Sequence, residues 1–235
     1  MVGLILLVAP GCAASVLVTY SAAGVQTTPA ANASTYTFNS LPTGLNNNVT
    51  WSGIGSFNTV WVQAADQYGG AGGTGNYAVV GAEAQSANLL STTLTLNAPQ
   101  SYVGLWVSAL DNQNQLTLYS GTTELTSFNV GILATAIGAC TGTNAYCGNP
   151  NNSSQDTSEP FAYLNFYGTQ GTTITSIVFS NANYSTGFEY DNVSVSTSPG
   201  APTGTVLTTF TPEPTSIWMI GAGLLVLGRR RYRRG

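Results

Sequence analysis

The sequence contains no histidine and no lysine, and its five arginines all lie between positions 229 and 234. Residues 1 to 228 therefore carry acidic side chains and no basic ones. Whole classes of chemistry fall away with those residues. A Ser-His-Asp triad and a Cys-His pair need histidine, and a Schiff base needs lysine. Three cysteines without histidine do not make a closed zinc site. A chain with no cation outside its last residues has nothing to neutralise phosphates, which excludes nucleic acid as a partner. Charge of either sign is scarce: charged residues are 6% of the chain, against roughly 25% in an average domain. Solubility must then come from Ser, Thr, Asn and Gln. Such a surface suits an extracellular protein, and its acidic balance suits cations or cation-bridged glycans.

Both ends of the chain are apolar and short. Residues 1–14 hold the run Val2-Gly-Leu-Ile-Leu-Leu-Val-Ala9 followed by small residues, Gly11-Cys-Ala-Ala14. That is the core and cleavage region of a secretory signal peptide. No Lys or Arg precedes the core, so a start upstream of Met1 is expected. Cys12 invites a lipoprotein reading, but Ala9 stands three residues before it where a branched residue is usual. Cys12 is instead expected to leave with the signal or to lie beside it. At the other end, residues 211–235 read Thr211-Pro212-Glu213-Pro214-Thr215, then an apolar segment over 216–228, then Arg229, Arg230, Arg231, Arg233 and Arg234. Proline-bounded motif, apolar helix and basic stop together form a membrane-sorting pattern. These residues resemble the PEP-CTERM sorting signal of bacterial proteins processed by exosortases. The resemblance implies an exosortase as processing partner, a tail that spans the membrane transiently with its arginines in the cytoplasm, and an exported ectodomain.

Between the ends, segments rich in Val, Thr, Tyr, Phe and Trp alternate with Gly, Asn, Ser and Pro clusters, the pattern of strands and turns. Strands are expected near 16–20, 36–38, 49–51, 60–63, 77–80, 92–96, 102–109, 116–119, 125–130, 161–167, 174–179 and 188–195. Residues 132–137 allow one helical turn at most. An all-β, jelly-roll-like antiparallel β-sandwich over residues 15–196 is the expected architecture. One hydrophobic helix at the C-terminus and a Pro/Gly/Thr linker over 197–210 complete it. Cys140 and Cys147 flank a short loop and are expected to be disulfide-bonded in an oxidising compartment.

The segment Phe188-Glu-Tyr-Asp-Asn-Val-Ser-Val195 places Phe188 and Tyr190 on one parity and Val193 and Val195 on the other. One strand face can hold both pairs only if an extra residue is inserted near Asp191-Asn192, so a bulge is expected there. The same segment is similar to the closing strand of secreted jelly-roll modules, many of them carbohydrate-binding. That likeness implies a structural calcium, expected at Asp191 with backbone carbonyls and Glu189 completing the oxygen shell. A longer set, Tyr102-Val-Gly-Leu-Trp106, Asp111-Asn112 and Phe188–Val195, is similar to an exosortase-associated surface-protein family of uncharacterised role. That family implies a sandwich and a surface location.

Gly70-Ala-Gly72-Gly-Thr-Gly75 satisfies GxGxxG, but a strand rather than a helix follows it, so it reads as a loop and not a dinucleotide site. Trp51, Trp61 and Trp106 fall in strands and are expected in the core, whereas Tyr68 and Tyr146 fall in loops and are the candidates for stacking on sugars. Paired carboxylates are the enzymatic option that remains. Glu189 and Asp191 would share a strand face about 7 Å apart, within the glycosidase range, were the bulge not expected to disturb them. A structural or adhesive surface protein with no enzymatic activity is therefore the first expectation. A carbohydrate-binding module contacting extracellular polysaccharide is the second, and a glycosidase a distant third.

Overall fold

The computed structural model describes residues 15–141 and 143–211. The signal, the sorting motif, the apolar segment and the arginine cluster lie outside them. Among the described residues no helix is long and apolar enough to cross a membrane.

The chain is all-β. Its strands are β1 (Ser15–Tyr20), β2 (Ser34–Tyr36), β3 (Gly44–Trp51), β4 (Gly55–Ala64), β5 (Asn76–Gly81), β6 (Ser91–Gln100) and β7 (Tyr102–Ser108), then β8 (Asn114–Ser120), β9 (Thr123–Asn129), β10 (Ala162–Thr169), β11 (Ile174–Asn181), β12 (Gly187–Ser196) and β13 (Thr205–Phe210). Among the described residues the one α-helix, α1 (Gly131–Ile137), is seven residues long, more than the single turn expected from sequence. Residues 205–210, expected as linker, instead form β13, which pairs antiparallel with β1. Thr, Val and Phe supply strand propensity there, and β1 offers a free edge.

Two separate sheets were expected, and there is one. All thirteen strands of the described residues belong to a single antiparallel sheet whose main path runs β13-β1-β10-β7-β12-β5-β4-β6-β11-β8-β9. The cause is a pair of strands that change partner midway. β4 pairs with β6 at Gly55–Phe57 and with β5 at Trp61–Ala64. β12 pairs with β5 at Gly187–Tyr190 and with β2 at Val193–Val195. These corners fold the sheet onto itself. Phe179 of β11 stacks on Tyr190 of β12 with ring centroids 4.2 Å apart, although the two strands are not paired. The outer strands also approach: Phe128 of β9 meets Phe210 of β13 at 6.2 Å and Phe166 of β10 at 5.5 Å, both edge-on. The result is a nearly closed, barrel-like sheet around one apolar core that includes Trp51, Phe57, Leu105, Phe166, Phe188 and Tyr190.

β12 is buried on both sides. Phe188 and Tyr190, then Val193 and Val195, face the core, while Glu189 and Asp191, then Ser194 and Ser196, face outward. The register against β7 shifts between Asp191 and Ser194, and Asn192 there adopts φ 47°. This bulge is what lets the strand keep apolar residues inward at both ends. Outward, Trp106, Ala109, Phe161 and Tyr163 form a second apolar cluster on β7 and β10 and the segments beside them. Val25, Tyr68 and Ala71, from the loops around residues 22–26 and 66–75, pack against this cluster. Asn192 fastens the first of these loops, its Nδ2 donating to the Gln26 carbonyl at 2.7 Å. Asn192→Gly should keep the left-handed backbone and lose about 1 kcal/mol with that bond. Asn192→Val, which also forces a β-branched residue into the left-handed region, should lose about 2–3 kcal/mol. Denaturant unfolding of the two variants checks the order, and equal losses would contradict it.

Candidate functional site

Four neighbouring strands, β10, β7, β12 and β5, bring their ends together at one rim of the sheet. Each contributes a carboxylate. Glu159 precedes β10, Asp111 follows β7, Glu189 lies at the start of β12, and Glu83 follows β5. Backbone hydrogen bonds hold these ends side by side: Ala82 N–H donates to the Thr186 carbonyl at 2.9 Å, and Leu110 N–H to the Pro160 carbonyl at 3.1 Å. A Cβ at Gly187 would collide with both Glu189 Oε1 and Glu83 Oε2, so this glycine leaves the space in which the two carboxyls face each other. Glu189 is 2% exposed, while Glu83, Asp111 and Glu159 are half-buried and open the cluster outward.

The electrostatics follow from having no cation nearby. Burial raises the Glu189 carboxyl well above the usual carboxylate range, and Glu83, Asp111 and Glu159 push it in the same direction. Burial likewise raises Glu83, Asp111 and Glu159. Glu83 Oε2, Glu159 Oε2, Glu189 Oε2 and the hydroxyl of Ser108 are buried without a hydrogen-bond partner. With both carboxyls ionised, Glu83 and Glu189 offer each other only repulsion. One shared proton turns the contact into a hydrogen bond, which offsets part of the burial cost on Glu83.

Asp191 has a different task. The bulge lies beyond it, so it keeps the strand spacing from Glu189 and shares its face. Its Oδ2 accepts from Ala71 N–H at 2.9 Å and its Oδ1 from Asn192 N–H at 2.6 Å. Burial still outweighs these bonds and raises its carboxyl to about 7. Asp191 therefore clamps the glycine-rich loop, each of its oxygens accepting one backbone N–H. The GxGxxG stretch holds a short 3-10 turn at Ala71–Gly73 and leads into β5.

Next to this clamp lies a cleft of about 640 Å³, lined by Asp66, Gln67, Tyr68, Asn149, Asn151 and Gln155 among others. Asn149 ties its two walls together, donating through Nδ2 to the Gln67 carbonyl at 2.9 Å while its Oδ1 accepts from Asn151 N–H at 2.9 Å. Asp66 Oδ1 orders the other wall by accepting from Tyr68 N–H at 2.9 Å and from the Tyr77 hydroxyl at 3.1 Å. Tyr68 is in this cleft, half-buried. Tyr146 is not: its ring packs edge-on against Tyr20 at 5.6 Å and its hydroxyl donates to the Ser21 carbonyl at 3.1 Å. Cys140 and Cys147 form a disulfide in the neighbouring loop, with Cα atoms 5.4 Å apart. Of the tryptophans, Trp51 is in the main core, Trp106 is in the outward cluster, and Trp61 is half-buried. Glu83, Asp111, Glu159 and Ser108 escaped the sequence reading of this site. Only the strand order places Glu159 beside Asp111.

One comparison with known proteins bears on the C-terminal end of the chain. Residues 210–234 match the PEP-CTERM protein-sorting motif. The motif implies export, anchoring in the membrane before processing, and processing by an exosortase. No curated protein matches the chain. Among solved structures, the catalytic domain of a GH87 alpha-1,3-glucanase in complex with tetrasaccharides is similar at 9% identity, over 80% of this chain and 29% of that one, with a TM-score of 0.31. At that score the likeness carries neither fold nor activity across.

The carboxyls fix a pH response. All the raised groups hold protons in the folded state that they release when unfolded, so stability is fully present below their ordinary values near 4 and declines as pH rises through the folded ones. In the presence of a chelator, the melting temperature should therefore fall between about pH 4 and pH 7, where Asp191 titrates. Thermal melting across that range checks the sign. A rise toward neutral pH would contradict it.

Proposed function

We propose that the protein is an exported surface or extracellular-matrix component, sorted by its C-terminal signal and processed by an exosortase, whose β-domain has a structural or adhesive and non-enzymatic role. The sorting motif carries this reading. The fold supports it through the position of the chain ends. The motif begins at the last residue of β13, and Phe210 of β13 is the register partner of Val16 of β1. The segment read as a signal peptide and the sorting tail therefore leave the domain at one corner. Ser15 pairs with Thr169 at the end of β10, whereas the acidic rim lies at the start of that strand. An eight-residue strand separates the two by roughly 25 Å. Tethered by that corner, with its arginines on the cytoplasmic side, the domain would present the rim and cleft away from the membrane.

A second reading is favoured by the cleft. Side-chain amides, one carboxylate and the half-buried Tyr68 ring suit the hydroxyls and faces of a neutral or cation-bridged polysaccharide, as expected of a carbohydrate-binding module.

Intact-mass measurement of the mature protein tests the sorting. A product without Arg229–Arg234 is expected from cells with an active exosortase, and a product retaining them would rule processing out. For the cleft, Tyr68→Ala should weaken binding to the host's extracellular polysaccharide about tenfold, near 1.4 kcal/mol. Unchanged binding would remove the cleft from the account and leave the sorting intact.

A further inference from the structure

The acidic rim contains a cradle. Glu83 and Glu189 face each other in the space that Gly187 leaves open. Gly187 has no positive φ, so the missing side chain there serves space and not backbone geometry. Ser108 is the register partner of Glu189, and cross-strand partners project to the same face. It is fully buried, and its hydroxyl has no partner. Glu189, 2% exposed, likewise has an unpartnered oxygen, and so does Glu83. Unpaired buried oxygens are costly; one shared proton between Glu83 and Glu189 answers for a single contact, and a bound cation would answer for the several oxygens on adjacent strands at once. The described residues contain no Lys, Arg or His to supply it.

We propose that this cradle binds a divalent cation of the calcium class, ligated by the carboxylates of Glu83 and Glu189 with the Ser108 hydroxyl beside them and water completing the shell. Every donor is oxygen, which suits a hard cation with a flexible shell and not zinc or copper. Asp111 and Glu159 stand at the outer side and add negative charge without having to ligate. Among the described residues no three His, Cys, Asp or Glu side chains are arranged to hold a metal. The proposed site has two carboxylates and neutral oxygens, fewer acidic ligands than such a group. It differs from a calcium at Asp191, whose oxygens are held by Ala71 and Asn192 N–H groups. The site is independent of how the tail is sorted. Binding would close the rim by joining the ends of β5, β7 and β12.

The test is thermal melting of the mature exported protein at neutral pH in millimolar calcium and in chelator. Calcium should raise the melting temperature by about 5–10 °C. Glu83→Gln and Glu189→Gln should each remove most of that shift, and Gly187→Ala should do so by filling the cradle. Asp191→Asn and the exposed Glu124→Gln should keep it. Because Glu83 is half-buried, its glutamine variant carries the test if the Glu189 variant fails to fold. Equal melting temperatures of the wild type in calcium and chelator would overturn the proposal. So would a full shift retained by Glu83→Gln, or a shift lost in Asp191→Asn alone.

Discussion

The constraint behind this structure is that its folded part must place carboxylates without any basic side chain to pair with them. An isolated buried carboxylate is too costly to leave alone, so each one needs a hydrogen-bond donor, a proton or an outside cation. The chain uses these remedies on a single strand. Asp191 takes two backbone N–H donors, one of them from a loop that it thereby holds down. Two residues earlier, Glu189 faces another carboxyl and is left with a proton or a bound cation as its remedy. The difference comes from position: the glycine-rich loop reaches Asp191, and the strand rim with its acidic neighbours surrounds Glu189.

Burial of β12 on both faces is what makes this possible. Its inward aromatics close the core, with Phe179 against Tyr190 bridging two halves of a sheet that never separates into layers. Its outward groups receive a covering of loops. Tyr163 donates to the Asn192 carbonyl at 3.0 Å or to Ser194 Oγ at 2.9 Å, so polar groups next to the bulge are also satisfied from the neighbouring strands. The cleft is then a by-product of the covering: its walls are the loops that Asp191 and Asn149 hold in place. Rim and cleft lie side by side at the end of β10 away from the corner where both chain termini leave.

The strand pattern was largely legible in the sequence, because alternation of apolar and polar residues reports one buried face directly. The bulge in β12 was legible for the same reason, since a change of parity within one strand has few geometric solutions. β13 was not, because Pro and Gly before it gave residues 205–210 the look of a linker. Nor could alternation distinguish two sheets from one curved sheet: it records which face is buried and says nothing about a strand that changes partner midway, as β4 and β12 do. The acidic rim needed the topology. Glu83, Asp111, Glu159 and Glu189 are scattered through the sequence and meet because β10, β7, β12 and β5 are neighbours. Tyr68 and Tyr146 looked equivalent as loop tyrosines, and only tertiary packing separates the one lining a cleft from the one bonded to Ser21.

If β12 is the member on which both faces depend, it should be the last part of the domain to open. Native-state hydrogen exchange of the mature protein measures this directly, residue by residue. The account predicts that the amides of β12 and of its neighbour β7 exchange slowest, at the rate of global unfolding, while the outer strands β9 and β13 open earlier. Exchange of β12 as fast as that of β9 and β13 would contradict it.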